Sequence, residues 1–188
     1  MNRKKCLFLG YSSKNTKIIG FLRKKKIHVI ENLNRKINIK KLNKYNFIIS
    51  FGYRKIIGKN IINNLKRPII NLHISYLPYN RGVYPNLNSF INKTPKGVTI
   101  HEIDNDIDTG KIIYQKKLNL KIKKTTTFED VYYILRDEIE KLFIKNYLNI
   151  INFKYKAFKQ KKIKSKKTFK HAIDWNQSIK LYLKNIKN

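Results

Sequence analysis

Residues 47–73 read FIISFGYRKIIGKNIINNLKRPIINLH. The run 47–50 is apolar and rich in β-branched Ile, which predicts a buried strand. A loop holding Gly52 follows, then a short helix over 55–65. Pro68 closes that stretch, because it cannot continue a helix, and 69–72 reads as a second buried strand. Strands alternating with helices predict an α/β class, a Rossmann-like three-layer fold with a mainly parallel central sheet.

Working outward gives the same rhythm. Toward the amino terminus, 5–9 predicts a strand ending at Gly10, and 14–25 a helix with Ile18, Ile19 and Leu22 on one side. A strand is expected over 28–30 and a loop with a short helix over 33–44. In the other direction, 75–85 (SYLPYNRGVYP) holds two prolines and a glycine and predicts a shaped loop. A helical turn over 87–91 and strands over 97–102 and 112–117 follow. Those two strands are close enough in sequence to pair antiparallel, which would make the sheet mixed.

Thr126 or Thr127 can cap the next helix, with Glu129 and Asp130 suited to its first turn. Phe128, Val131, Tyr132, Leu135, Ile139, Leu142 and Phe143 then recur at helical spacing. Asp137, Glu138 and Glu140 fall between them and are expected on the solvated side. From about residue 154 the pattern fades into a basic tail, expected to dock through Phe158, Phe169 and Trp175. The organisation read from this is a catalytic domain over 1–156 and a basic extension over 157–188 packed on it.

Composition sets bounds on function. The chain has 188 residues and is 41% hydrophobic, enough for a core. Its 43 Lys and Arg against 11 Asp and Glu give a formal net charge of +32. One reading is a partner that is a polyanion. The other is genome base composition, since Lys, Asn, Ile and Tyr share A/T-rich codons. Either way the charge favours anionic substrates. The lone Cys6 lies in an apolar run, so no disulfide framework and no Cys-based zinc cluster can form within the chain. No apolar run reaches membrane length or makes a signal-peptide core, so a cytoplasmic protein with no membrane association is expected.

In open α/β sheets ligands sit beyond the carboxyl ends of the strands. Asn71 and His73 lie at such an end, two residues apart, so an extended backbone points both the same way. Asp108 comes 35 residues after His73, in a Gly-containing loop behind another strand. These groups suit acyl transfer to an amine. Attack on a formamide carbon builds an oxyanion, to which an amide NH2 and an imidazolium can donate. A carboxylate can orient the histidine or relay the amine's proton. The amine is the nucleophile, so neither Ser nor Cys is needed, and no carboxylate–histidine spacing suggests a metal.

NLHISYLP over 71–78, NRG over 80–82 and GVTIHEIDNDIDTG over 97–110 together resemble the folate-dependent formyltransferase family, and most closely its small sugar N-formyltransferases. The resemblance covers about 47–117. It implies a Rossmann-like catalytic domain, 10-formyltetrahydrofolate as the formyl donor, and Asn71, His73 and Asp108 as catalytic residues. It also implies that Leu77, Pro78, Ile103, Asp104, Asn105, Asp106 and Ile107 wall the donor's pterin, and that Thr99 and His101 lie near the active site. Arg81, beside Gly82 in the shaped loop, is a candidate to contact a substrate phosphate or carboxylate. Tyr84, where relatives often carry a smaller or acidic residue, is a candidate to shape the acceptor pocket.

The acceptor this implies is the amine of a nucleotide-linked or nonulosonic-pathway amino sugar, a small anionic molecule. Alternatives are methionyl-tRNA or glycinamide ribonucleotide. A different class of answer is a noncatalytic nucleic-acid-binding protein, favoured by the charge and the aromatic residues of the tail. The family likeness brings a homodimer as a further expectation. The tail also keeps a stretch from Thr168 through His171 to Asp174 that resembles a carboxyl-terminal signature of the family, with His171 displaced by one place.

Overall fold

The computed structural model describes residues 3–33, 35–163 and 173–186. Six strands form one sheet: β1 (Lys5–Gly10), β2 (His28–Asn32), β3 (Phe47–Phe51), β4 (Ile70–His73), β5 (Lys96–Glu102) and β6 (Ile112–Leu118). Their order is β2-β1-β3-β4-β5-β6. The ladders among β1, β2, β3 and β4 are parallel, and those of β4 with β5 and β5 with β6 are antiparallel. The sheet is therefore mixed, as the short 97–117 spacing led one to expect.

Apolar residues point to both faces, because the central strands are covered twice. On one face Phe8, Ile49, Ile70, Leu72, Val98 and Ile100 meet Ile18, Ile19 and Leu22 of α1 (Lys17–Lys24) and Phe128, Val131, Leu135, Ile139 and Phe143 of α4 (Phe128–Ile151). On the other, Leu7, Leu9, Ile48 and Ile69 pack with Leu42 of a 3-10 helix (Ile39–Lys44) and with Ile61 of α2 (Lys59–Asn63). Each such side chain fully buried is worth about 1.5–3 kcal/mol. Cys6 is wholly buried in β1, and burial pushes its thiol up, so it is an inert apolar filler.

Helix α4 starts where its cap was expected. The Thr127 side chain accepts from the Asp130 amide and the Asp130 carboxylate from the Thr127 amide, a full capping box. Two expectations need correcting. The helix over 55–65 shrinks to α2, because Gly58 is extended and Ile56 is 89% exposed, while Ile57, Ile61 and Leu65 still pack on the second core cluster. Glu140 is not on the solvated side. It is buried, accepts from the Thr16 hydroxyl at 2.8 Å, and has Arg136 and Lys17 within 4.0 Å. Those partners are what make a charged group tolerable there.

Behind α4 the chain returns to the sheet. Phe158 pairs antiparallel with Ile112 through two backbone hydrogen bonds, although its ring is half exposed. Trp175 stands near Tyr84 and Tyr132, Ser178 bridges to Thr127, and Ile179 of α5 (Ile179–Asn185) is buried against the main core. Phe169 and the Thr168–His171 stretch lie outside the described residues. Among the described residues no helix is long and apolar enough to cross a membrane.

Candidate active site

Parallel β1, β3 and β4 end at one edge of the sheet, and the candidate site is built there. Asn71 and His73 alternate on β4. Across the antiparallel ladder Asn71 pairs with His101 and His73 with Thr99. The register therefore brings two histidines and an amide together, with ring centroids of His73 and His101 6.1 Å apart.

Asp108 arrives from the loop between β5 and β6. Its backbone is left-handed, with φ of 52°. The loop can close tightly because Gly110 lacks a Cβ, which would stand 1.8 Å from the Glu102 carbonyl oxygen. Thr109 donates its hydroxyl to Asp104 at 2.5 Å and fixes the approach. The Asp108 carboxylate is then gripped from three sides. Gly82 N–H donates to Oδ2 at 2.8 Å, and Asn71 Nδ2 donates to Oδ1 at 3.3 Å. His73 Nδ1 lies 3.6 Å from Oδ2 and His101 Nε2 3.5 Å from Oδ1.

Protons in this cluster are constrained by the partners. His101 Nδ1 faces the Glu102 carbonyl at 2.7 Å and must donate to it. A neutral His101 ring therefore offers Nε2 as an acceptor, and Asn71 Nδ2 donates to it at 3.0 Å. Both amide protons of Asn71 are then engaged, one by His101 and one by Asp108. His73 sits between two acceptors, Asp108 at Nδ1 and the Asn80 carbonyl at Nε2, 3.4 Å away. A neutral ring can satisfy one of them at a time; an imidazolium satisfies both.

Burial pushes the His73 imidazole below its ordinary value, outweighing the Asp108 charge that pulls it up. Burial pushes the Asp108 carboxyl up, but the neighbouring His73 and His101, together with the Gly82 amide, hold it well below the usual carboxylate range. The arrangement is an ionised carboxylate beside a neutral imidazole that gains a partner by taking a proton.

The other expected residues divide. Gly82, with φ of 85°, reaches Asp108 directly through its amide. Ile107 and Val83, both exposed, flank this contact. Arg81 turns its guanidinium to Gln160 Oε1, at 3.2 and 2.7 Å. Tyr84 caps α3 (Pro85–Ile91) in the left-handed region, its ring 6.0 Å from Trp175. Thr99 is fully buried. Its hydroxyl donates to the Ser75 carbonyl and accepts from the Leu77 amide and Gln115, so it staples the Leu77–Pro78 loop rather than facing the cleft. Leu77 is buried, Ile103 packs on the second core cluster, and Asp104, Asn105 and Asp106 lie along the outer loop. Sequence reasoning missed the Asn80 carbonyl and Gln160. Asn80 opens the NRG motif, but nothing there singles out its backbone carbonyl, and Gln160 sits in a stretch with no periodicity.

Comparison with known proteins relates this mixed sheet, with its Asn–His–Asp cluster at the carboxyl edge, to a family. Residues 2–146 match the formyl transferase family, and the chain belongs to it. Its fold resembles the crystal structure of the formyltransferase PseJ from Anoxybacillus kamchatkensis, described in complex with UDP-4,6-dideoxy-4-formamido-L-AltNAc and tetrahydrofolate. The TM-score is 0.77 and the identity 41%, over 86% of this chain and 84% of that one. Among curated proteins, the dTDP-4-amino-4,6-dideoxyglucose formyltransferase of Mycobacterium tuberculosis is 32% identical over 114 residues, 61% of this chain and 47% of the relative. The methionyl-tRNA formyltransferase of Buchnera aphidicola is 33% identical over 161 residues, 79% of this chain and 49% of the relative. The chain thus spans about half the length of these curated relatives.

Proposed function

We propose that the protein transfers a formyl group from 10-formyltetrahydrofolate to the amine of a nucleotide-linked amino sugar. The observation that carries this is the convergence of Asn71 and His73 on the ionised Asp108, at 3.3 and 3.6 Å. Such a cluster supplies what the reaction needs and lacks what it does not need, a protein nucleophile. The amine nitrogen attacks the formyl carbon. Asn71 turns one N–H from Asp108 to the developing oxyanion, while its bond to His101 keeps the amide aimed. The amine gives up a proton toward Asp108 and His73, the bond from the formyl carbon to N10 of the folate breaks, and N10 takes a proton.

For the donor, exposed Ile107 offers apolar cover beside Asp108, with Pro78 and Asp104, Asn105 and Asp106 along the same loops. Leu77 and Ile103 point into the core and serve by fixing the loop ends. The acceptor assignment rests on likeness to PseJ, at 41% identity over most of both chains. A net charge of +32 suits an anionic nucleotide carrier. The extension over 157–188 acts as part of the same catalytic unit, and the setting is cytoplasmic, where folate and nucleotide sugars meet.

The charge and the Buchnera match favour one second reading, methionyl-tRNA as acceptor. Folate release from 10-formyltetrahydrofolate, measured with nucleotide-linked 3-amino and 4-amino sugars and with methionyl-tRNA in parallel, separates the two. Release with an amino sugar and a formylated product by mass supports the first. Release with the tRNA alone replaces it. A folded protein that binds no folate and turns over neither acceptor would leave neither standing.

A further inference from the structure

Gln160 lies beyond the family match, which ends at residue 146, and in the part of the chain where sequence reading placed a basic extension. Its side chain makes four hydrogen bonds. Oε1 accepts from Arg81 Nε at 3.2 Å and Nη2 at 2.7 Å. Nε2 donates to the Asp108 carbonyl at 2.9 Å and to the Gly110 carbonyl at 2.8 Å. A primary amide has two N–H donors and one carbonyl oxygen with two lone pairs, so every valence is used and the group has one orientation.

The two loops it joins are those that meet at the carboxylate. Arg81 is followed by Gly82, whose N–H donates to Asp108 Oδ2. Asp108 itself stands at φ of 52°, a conformation that an L side chain adopts at a cost and keeps only when its surroundings fix it. A bond to the Asp108 carbonyl fixes the peptide that follows the carboxylate, and a bond to the Gly110 carbonyl fixes the next turn. Gln160 is itself anchored, because Phe158 two residues earlier pairs with Ile112 at the start of β6.

We infer that Gln160 is a positioning residue for the formyl transfer: it clamps the Arg81–Gly82 loop to the Asp108 loop and so sets the angle of the Asp108 carboxylate toward Asn71 and His73. The inference rests on the formyltransferase reading for its kinetic consequence, but its geometric consequence is independent of any acceptor.

The test uses the full chain with Gln160→Met, which keeps length and loses all four bonds, and Gln160→Glu. The Glu variant keeps the acceptor for Arg81 but turns carboxylate oxygen onto two carbonyls. Two readouts are taken. Ring-nitrogen chemical shifts of His73 and His101 at one fixed pH report whether the carboxylate has moved against them. Turnover with 10-formyltetrahydrofolate and an amino-sugar nucleotide gives kcat and KM separately. Expected are altered His73 ring shifts in both variants, and kcat lower by about tenfold to a hundredfold with folate KM little changed. Wild-type ring shifts and wild-type kcat in both variants, with the native fold retained, would overturn the assignment. A uniform drop in thermal stability with unchanged ring shifts would also overturn it, since that is what a merely structural residue gives. If the wild type turns over no acceptor, the functional reading fails, while the ring shifts still decide the role of Gln160.

Discussion

Replacing Asp108 by Asn keeps the shape of the side chain and removes its charge. Oδ2 accepts the Gly82 amide at 2.8 Å and Oδ1 accepts Asn71 at 3.3 Å. An Asn has one oxygen for these two donors. The shorter bond to Gly82 wins, which turns the new NH2 toward Asn71 and His101 Nε2. There it competes with Asn71 for the one lone pair that aims it. The variant therefore loses the group that receives the amine's proton and loosens the oxyanion donor as well. General acid–base help is worth about a hundredfold to ten-thousandfold, so kcat should fall by that range, roughly 2.7–5.4 kcal/mol of barrier. Stability should fall as well, by about 1.5–3 kcal/mol for the lost charged hydrogen bond, because the partners of Asp108 outweigh its burial and the folded state favours the ion. The assay is steady-state folate release, with thermal unfolding alongside. A kcat within about threefold of wild type, in a folded variant, refutes the role given to the carboxylate.

Four further outcomes follow from the same geometry. Thr127→Ala removes the α4 cap and should lower unfolding free energy by about 0.5–2 kcal/mol in urea, with kcat unchanged; no shift in midpoint counts against the capping box. Glu140→Ala strips Thr16, Arg136 and Lys17 of their buried acceptor and should destabilise by about 1–3 kcal/mol, whereas an exposed Glu would give almost nothing. For His73, burial sets the folded value below the unfolded one of about 6.5, so the unfolded chain takes the proton first. Its contribution to stability is then full above about pH 6.5 and is lost as the pH falls through the folded value. Ring titration by NMR should find the His73 midpoint below 6.5, and a higher midpoint contradicts the stated balance of burial over charge. Asn71→Ala should lower kcat by a few kcal/mol of transition-state stabilisation, on the order of a hundredfold, and wild-type turnover would remove it from the mechanism.

The sheet was legible because its strands carry their own signals. Ile-rich runs at 47–50 and 69–72 can only be buried, and the short spacing of 97–102 and 112–117 leaves an antiparallel pair as the simplest outcome. That Asn71, His73 and Asp108 would come together was legible through motif and chemistry jointly. Less could be said where a residue's surroundings decide its behaviour. Glu140 has the spacing of a solvated residue, but besides Arg136 one turn back, Thr16 and Lys17 meet it from positions far off in the chain, which no local pattern encodes. Ile56 and Ile57 fit a helix by period alone, yet Gly58 starts that helix later and Ile56 faces water. Thr99 was expected near the active site because the family resemblance put it there with His101. Its hydroxyl was claimed instead by Ser75, Leu77 and Gln115, partners set by tertiary packing. Gln160 is the extreme case: its importance lies wholly in two loops that the sequence brings near it only after folding.

Formyl transfer to an amino sugar shows itself in the fate of the formyl carbon. Its most direct test is incubation of the wild-type protein with 10-formyltetrahydrofolate carrying a 13C-labelled formyl group and a nucleotide-linked 4-amino-4,6-dideoxy sugar, followed by mass and NMR analysis of the sugar. A labelled formamide on the sugar nitrogen is expected, formed in step with tetrahydrofolate and absent with Asp108→Asn. Label that stays on the folate while the protein is folded and binds both molecules would contradict it.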